Sequence, residues 1–207
     1  MKARTLPLLA TVLLLAGCTA LTGPRKDFTL YALDPPMARG EGTARDWQLL
    51  VEEPHVGELL DGFRLVVAPG GNELQVYQGA RWTERTPAML QGLWIRAFEA
   101  DGRLPGAARA GTGVRADLIL ASDLTRFQAS YRGGMPTVEI ELHVRLVDPR
   151  DRRIRGRQVF RAEAAAADNE IPAVVAAFEQ GMAELNPQLV AWVLGAGDAA
   201  LAARGSD

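Results

Sequence analysis

Cysteine occurs once in this 207-residue chain, at position 18. A lone thiol forms no internal disulfide, and its isolation removes thiolate metal sites and paired redox motifs from consideration. Histidine is almost as scarce, with only His55 and His143 available as imidazole bases. No Gly-x-Ser-x-Gly elbow and no His-Glu-x-x-His pattern occurs, so neither a serine triad nor a helical zinc site has a signature. GAARAGTG (106–113) has the glycine spacing of a phosphate loop but lacks the lysine that such a loop needs. GTGVRA (111–116) imitates a dinucleotide fingerprint but precedes a strand pattern instead of following one, so both stretches read as a flexible loop. Glu52 and Glu53 are adjacent, and in a strand they would point to opposite faces, which denies them acid/base partnership. The expectation is that the protein is not an enzyme and holds no metal or diffusible cofactor. A surplus of one charge is missing too. The net formal charge is −2, which argues against a nucleic-acid partner.

What the chain does have begins at its amino terminus. Lys2 and Arg4 precede one apolar stretch, Leu6 to Ala16, in the charged-then-greasy order of a secretory signal. The stretch is short of the ~20 residues a bilayer span needs. It ends in Leu15, Ala16, Gly17 and Cys18, a sequence that resembles a bacterial lipobox. The resemblance implies cleavage after Gly17, a diacylglycerol thioether on Cys18 and an acylated new amino terminus. Several acyl chains on one residue hold a protein to a membrane where a single chain binds only reversibly. Thr19 instead of Asp follows the cysteine, which in enteric sorting points to the outer membrane, on its periplasmic face. Loss of Lys2 and Arg4 from 23 basic residues leaves 21 against 25 acidic ones, a mature net charge of −4. The length suits one domain.

Residues 18–27 read as the lipidated cysteine and a tether, with Gly23 and Pro24 and no apolar periodicity. The domain is expected over 28–194. FTLYALDPP (28–36), WQLLVEEP (47–54) and GFRLVVAP (62–69) have strand patterns closed by proline, and a turn at Gly70 to Asn72 leads into a strand through Tyr77. From Glu84 the period changes. Met89, Leu90, Leu93, Trp94, Ala97 and Phe98 mark a helix face, with Thr83 as its expected cap, Pro87 in the first turn and an end near Gly102. Residues 116–128 begin a three-strand meander. In its central strand Val138, Ile140, Leu142, Val144 and Leu146 alternate with Glu139, Glu141, His143 and Arg145. A turn at 148–153 brings Arg161 opposite or diagonal to Glu139 and Glu141. A second helix is expected over 170–194, capped by Asp168 or Asn169, with Asn186-Pro187 kinking it or splitting it in two. Residues 195–207 read as a small-residue, flexible tail. The fold class is α+β: a mainly antiparallel β-sheet with two long amphipathic helices packed on one face.

In this frame FTLYALDP, RWTERTPAMLQ (81–91), DLTRFQ (123–128) and IPAVVAAFEQGMAELNPQLVAWV (171–193) are similar to segments of the ABC-type transport auxiliary lipoproteins, the PqiC-like family. The resemblance covers residues 28–194. It departs at LLDGFRLVVAPGGN (59–72), where the family often carries Leu-Asp-x-Pro. It implies an auxiliary subunit of an MCE/ABC-type phospholipid transport system. The implied partners are an MCE-domain membrane protein, an ABC permease and ATPase, and the membrane lipids that hold the anchor, and a homo-oligomer would suit docking on a hollow partner. Candidate contact residues are Arg81, Trp82 and Glu84 at the entry to the first helix, and Glu139, Glu141, His143 and Arg145 on the polar sheet face. Two alternatives stand beside this reading. One is a lipid carrier with a cleft between helices and sheet, and the other is an assembly lipoprotein that supports an outer-membrane barrel.

Overall fold

The computed structural model describes residues 27–131 and 134–204. The expected signal segment, Cys18 and the tether up to residue 26 lie outside the described residues. The elements are β1 (Thr29–Tyr31), β2 (Leu49–Val51), β3 (His55–Val56), β4 (Arg64–Gly70), β5 (Glu73–Trp82), α1 (Thr86–Asp101), β6 (Ala107–Arg109), β7 (Leu118–Tyr131), β8 (Pro136–Val147), β9 (Ile154–Ala165) and α2 (Ile171–Arg204). All the strands join one mixed sheet, which is mostly antiparallel by paired residues, and the fold is α+β as expected.

β7 is the spine of that sheet. Along one edge it pairs with β8 over nearly its whole length. Along the other it takes three short strands in succession, all parallel: β2 at Leu118 to Leu120, β3 at Asp123 and Leu124, and β4 at Gln128 to Ser130. The sheet then widens through β6 beside β2, and through β5 and β1 beside β4. A parallel pair needs a crossover, and the segment from β5 through α1 supplies it for β4 and β7. Residues 107–109, expected to be loop, form β6 instead. Their pairing with β2 is a tertiary contact with no local pattern to announce it.

The expected alternation in β8 is present. Val138, Ile140, Leu142, Val144 and Leu146 are buried under the helices, and the opposite face carries the polar residues. Trp82 from β5, Phe127 from β7 and Phe178 from α2 meet at the centre. Trp82 stands edge-on to Phe178 at 5.3 Å, and Phe127 is 4.6 Å from Phe178 between ring centres.

The helix ends differ from expectation in two places. Thr83 does not cap α1, because Arg85 occupies the cap without a side-chain bond. Thr86 instead donates its amide (2.9 Å) and its hydroxyl (3.1 Å) to the Gly62 carbonyl, so a distant turn takes the place of a local cap. Pro87 stands in the first turn, and Gly102 closes α1 with φ +76°, in the left-handed region glycine tolerates. At the start of α2, Asp168 accepts the Glu170 amide at 2.8 Å.

The larger correction is at the carboxyl terminus. Residues 195–204 are not a flexible tail, since α2 runs unbroken through Pro187 to Arg204. The small residues permit close approach: a Cβ on Gly197 would lie 2.5 Å from the Trp47 ring. Asp198 accepts the Trp47 indole N–H at 3.0 Å and pairs with Arg45 at 3.0 Å. Arg204 then grips Asp148, at the turn between β8 and β9, through Nε to Oδ2 at 2.7 Å and Nη2 to Oδ1 at 2.6 Å. Arg155 adds a bond at 2.9 Å, and Arg150 donates its amide at 3.0 Å. No described helix is long and apolar enough to cross a membrane.

Burial alone would raise the Asp148 carboxyl, but the Arg150 amide and the guanidinium groups of Arg204 and Arg155 outweigh it and lower it to about 2. Because the folded value lies below the ordinary 3.8, this stabilisation is fully present above pH 3.8 and is lost as pH falls through about 2. Arg204→Ala leaves a buried carboxylate with one guanidinium fewer. It is expected to cost about 3 kcal/mol. In a thermal melt near neutral pH, that cost is a midpoint lower by roughly 6–12 °C. An unchanged midpoint would mean the last turn of α2 is dispensable.

Candidate functional site

The face of the sheet turned away from the helices carries two polar groupings. On the meander, Glu141 is the hub. Its Oε1 accepts His143 Nε2–H at 2.9 Å and the Thr125 hydroxyl at 3.1 Å. Its Oε2 accepts Arg161 Nε–H at 2.8 Å and lies 3.6 Å from Arg126 Nη1. Arg161 stands directly opposite Glu141 in the β8–β9 register, as the turn at 148–153 implied. Thr125 reaches Glu141 because it is the extra residue of a bulge in β7, where the register shifts between Leu124 and Arg126. The hydrogen bond from His143, then that from Arg161, hold the Glu141 carboxyl down at about 2 against the opposing effect of burial. Nearby, Arg145 pairs with Asp123 across the strands at 2.6 Å.

Of the expected contact residues on this face, Glu141, His143 and Arg145 come together, with side chains 15%, 40% and 40% exposed. Glu139 does not join the open surface. It is 5% exposed, between Gln128 and Glu163 in register.

At the entry to α1, β5 alternates its last residues between two faces. Trp82 points inward and is 1% exposed, a core side chain that a partner cannot reach. Arg81 and Glu84 are exposed, and the Arg81 guanidinium lies 3.6 Å from the centre of the Phe28 ring. Arg85, not singled out from the sequence, binds Asp61 and reaches Glu53 at 3.4 Å. It fastens the turn after β3 to the helix entry. Spacing in the chain gives no hint of this contact, since Arg85 and Asp61 are 24 residues apart.

The chemistry of both groupings is that of paired, hydrogen-bonded charges on a surface. Among the described residues, no group of three or more His, Asp or Glu is placed to hold a metal ion.

The model of the family described as ABC-type transport auxiliary lipoprotein component matches residues 28–190. The crystal structure of a Xanthomonas campestris protein of family DUF330 is 34% identical, with a TM-score of 0.77 over 82% of this chain and 97% of that one. A second crystal structure, of an uncharacterized protein, shares the fold at 19% identity and a TM-score of 0.63, over 81% of this chain and 99% of that one. No curated protein matches.

The depressed Glu141 carboxyl makes the cluster pH-dependent. Its contribution is present above pH 4.5 and is lost as pH falls through about 2. Solvent screening at Arg126 and Arg161 limits the cost of Glu141→Gln to about 1 kcal/mol at pH 7. In urea titrations the gap between the wild type and this variant should shrink below pH 4.5 and close as pH falls to about 2. A gap that persists unchanged at that pH would mean ionisation of Glu141 is not what stabilises the face.

Proposed function

The chain belongs to the ABC-type transport auxiliary lipoprotein family, and from that premise we propose that it is the lipid-anchored subunit of an MCE/ABC-type phospholipid transport system. In this reading it docks the periplasmic machinery to the outer membrane. The observation that carries the reading is the fit of one family across residues 28–190, directly behind a lipobox ending at Cys18.

The mechanism is adhesive. Acyl chains on Cys18 supply a lasting hold on the bilayer, and the exposed charges around Glu141, His143 and Arg145 offer a surface for an MCE-domain partner. Such surface charges set orientation and association rate more than affinity. ATP hydrolysis belongs to a separate ATPase subunit, and this chain carries out no chemistry. The packing disfavours the lipid-carrier alternative, because the layer between helices and sheet is filled by Trp82, Trp94, Phe98, Phe127 and Phe178, each under 2% exposed. An acyl chain entering there would have to displace the core.

Two measurements test this. Cys18→Ala should abolish added acyl mass and release the protein from the outer-membrane fraction. A photo-crosslinking residue in place of Arg145 should capture an MCE-domain protein in cells, and the same residue in place of Gln188 on α2 should not. Capture of a barrel assembly protein alone would replace this reading with the assembly-factor one.

A further inference from the structure

At one corner of the sheet, three side chains that burial would normally remove from water remain in it: Phe28 (39% exposed), Leu30 (62%) and Phe63 (45%). β1 pairs in parallel with β5, so that Leu30 stands beside Arg81. The next residue, Trp82, points into the core, so Leu30 and Arg81 share the face turned away from the helices. Arg81 covers the Phe28 ring, and Arg64 stands opposite Arg81 on β4. Phe63, Arg64 and Arg81 line one open depression of about 720 Å³ together with Glu58, Asp61 and Arg85. Asp61 is engaged by Arg85, while no ion pair among the described residues ties Arg64 or Arg81 to a carboxylate.

The length of chain outside the structure says what this corner faces. Phe28 is ten residues beyond Cys18, which limits their separation to roughly 35 Å even fully extended. On the reading that Cys18 is acylated, the first strand of the domain is the part tied closest to the bilayer.

We propose that the corner formed by β1, β5 and β4 rests on the phospholipid surface that holds the anchor. Phe28, Leu30 and Phe63 enter the boundary between headgroups and acyl chains, and Arg64 and Arg81 meet lipid phosphates. Aromatic and aliphatic side chains flanked by arginine are the composition that binds in this zone, and a guanidinium pairs phosphate oxygens two at a time. Weak contact suffices, because the tether keeps the corner at high effective concentration beside the membrane. Seated this way, the domain holds one orientation.

The test uses the acylated mature protein in vesicles of phosphatidylethanolamine and phosphatidylglycerol that contain a photoreactive diazirine phospholipid. Intact mass first reports the acyl groups on Cys18; their absence overturns the anchor reading and this proposal with it. With acylation present, lipid adducts should concentrate on peptides bearing Phe28, Leu30 and Phe63. The surface pair Arg64→Glu and Arg81→Glu should lower that labelling about fivefold or more while moving the thermal midpoint by no more than a few degrees. A Phe28→Ser, Leu30→Ser, Phe63→Ser variant should also lower it. Adducts that fall evenly over the domain, or chiefly on β8 and β9, or that persist in both variants while Cys18 remains acylated, would overturn the membrane-facing corner and leave the anchor reading intact.

Discussion

The fold depends on the unequal use of the two edges of β7. A 14-residue strand offers more edge than any one short partner fills, and its second edge is completed by β2, β3 and β4 laid end to end. Each arrives in parallel, so the chain must leave the sheet and cross over before it returns. That constraint puts α1 on the same face as α2. With both helices on one side, the aromatic centre of Trp82, Phe127 and Phe178 is enclosed by three elements distant in sequence, and the other side of the meander is left for charges.

Two carboxylates then fix the long helix at its far end, Asp148 buried and Asp198 half-exposed. Asp148 and Asp198 each gather arginine from an element remote in sequence, Arg204 in one case and Arg45 in the other. A buried carboxylate is costly when left alone and tolerable when several donors satisfy it. Asp148 receives bonds to both oxygens from Arg204 while Arg155 and the Arg150 amide complete its shell. The arrangement specifies where α2 ends on the sheet, a matter on which apolar packing of alanine and glycine has little to say.

Much of this was legible in the residues, and what was not has a common cause. The β8 strand, the two helices, the Arg161 partnership with Glu141 and the Gly102 stop all rest on local period or on a short turn, and they are present. The failures are tertiary. Alanine and glycine between 195 and 204 carry no amphipathic signal, because what keeps them helical is Trp47 and Asp148 on other elements. Thr83 looked like a cap until Thr86 found Gly62. β6 has only three residues and no pattern. At the candidate site, alternation assigned Glu141, His143 and Arg145 to an open face correctly. The same alternation puts Glu139 beside them, where it is only 5% exposed, and Trp82, expected at a partner contact, is a core side chain.

Arginine recurs at both ends of the outward face. Arg81 and Arg64 face each other across β5 and β4, Val66 on β4 pairs with Gln128 on β7, and Arg126, two residues before it, leads to Glu141 and Arg161. Two guanidinium groups thus stand at the β1 end and two at the β9 end, and Glu141 answers only the latter. Repulsion among like charges in a sheet is relieved by carboxylates or by an external anion. The β9 end has its relief within the chain. Among the described residues the β1 end does not, and it is also where the apolar side chains are exposed and where the proposed tether would join. The asymmetry divides one surface into a self-satisfied half, which the proposed function gives to a protein partner recognised by charge pattern, and an unsatisfied half, which the proposed membrane contact gives to a phosphate-rich bilayer.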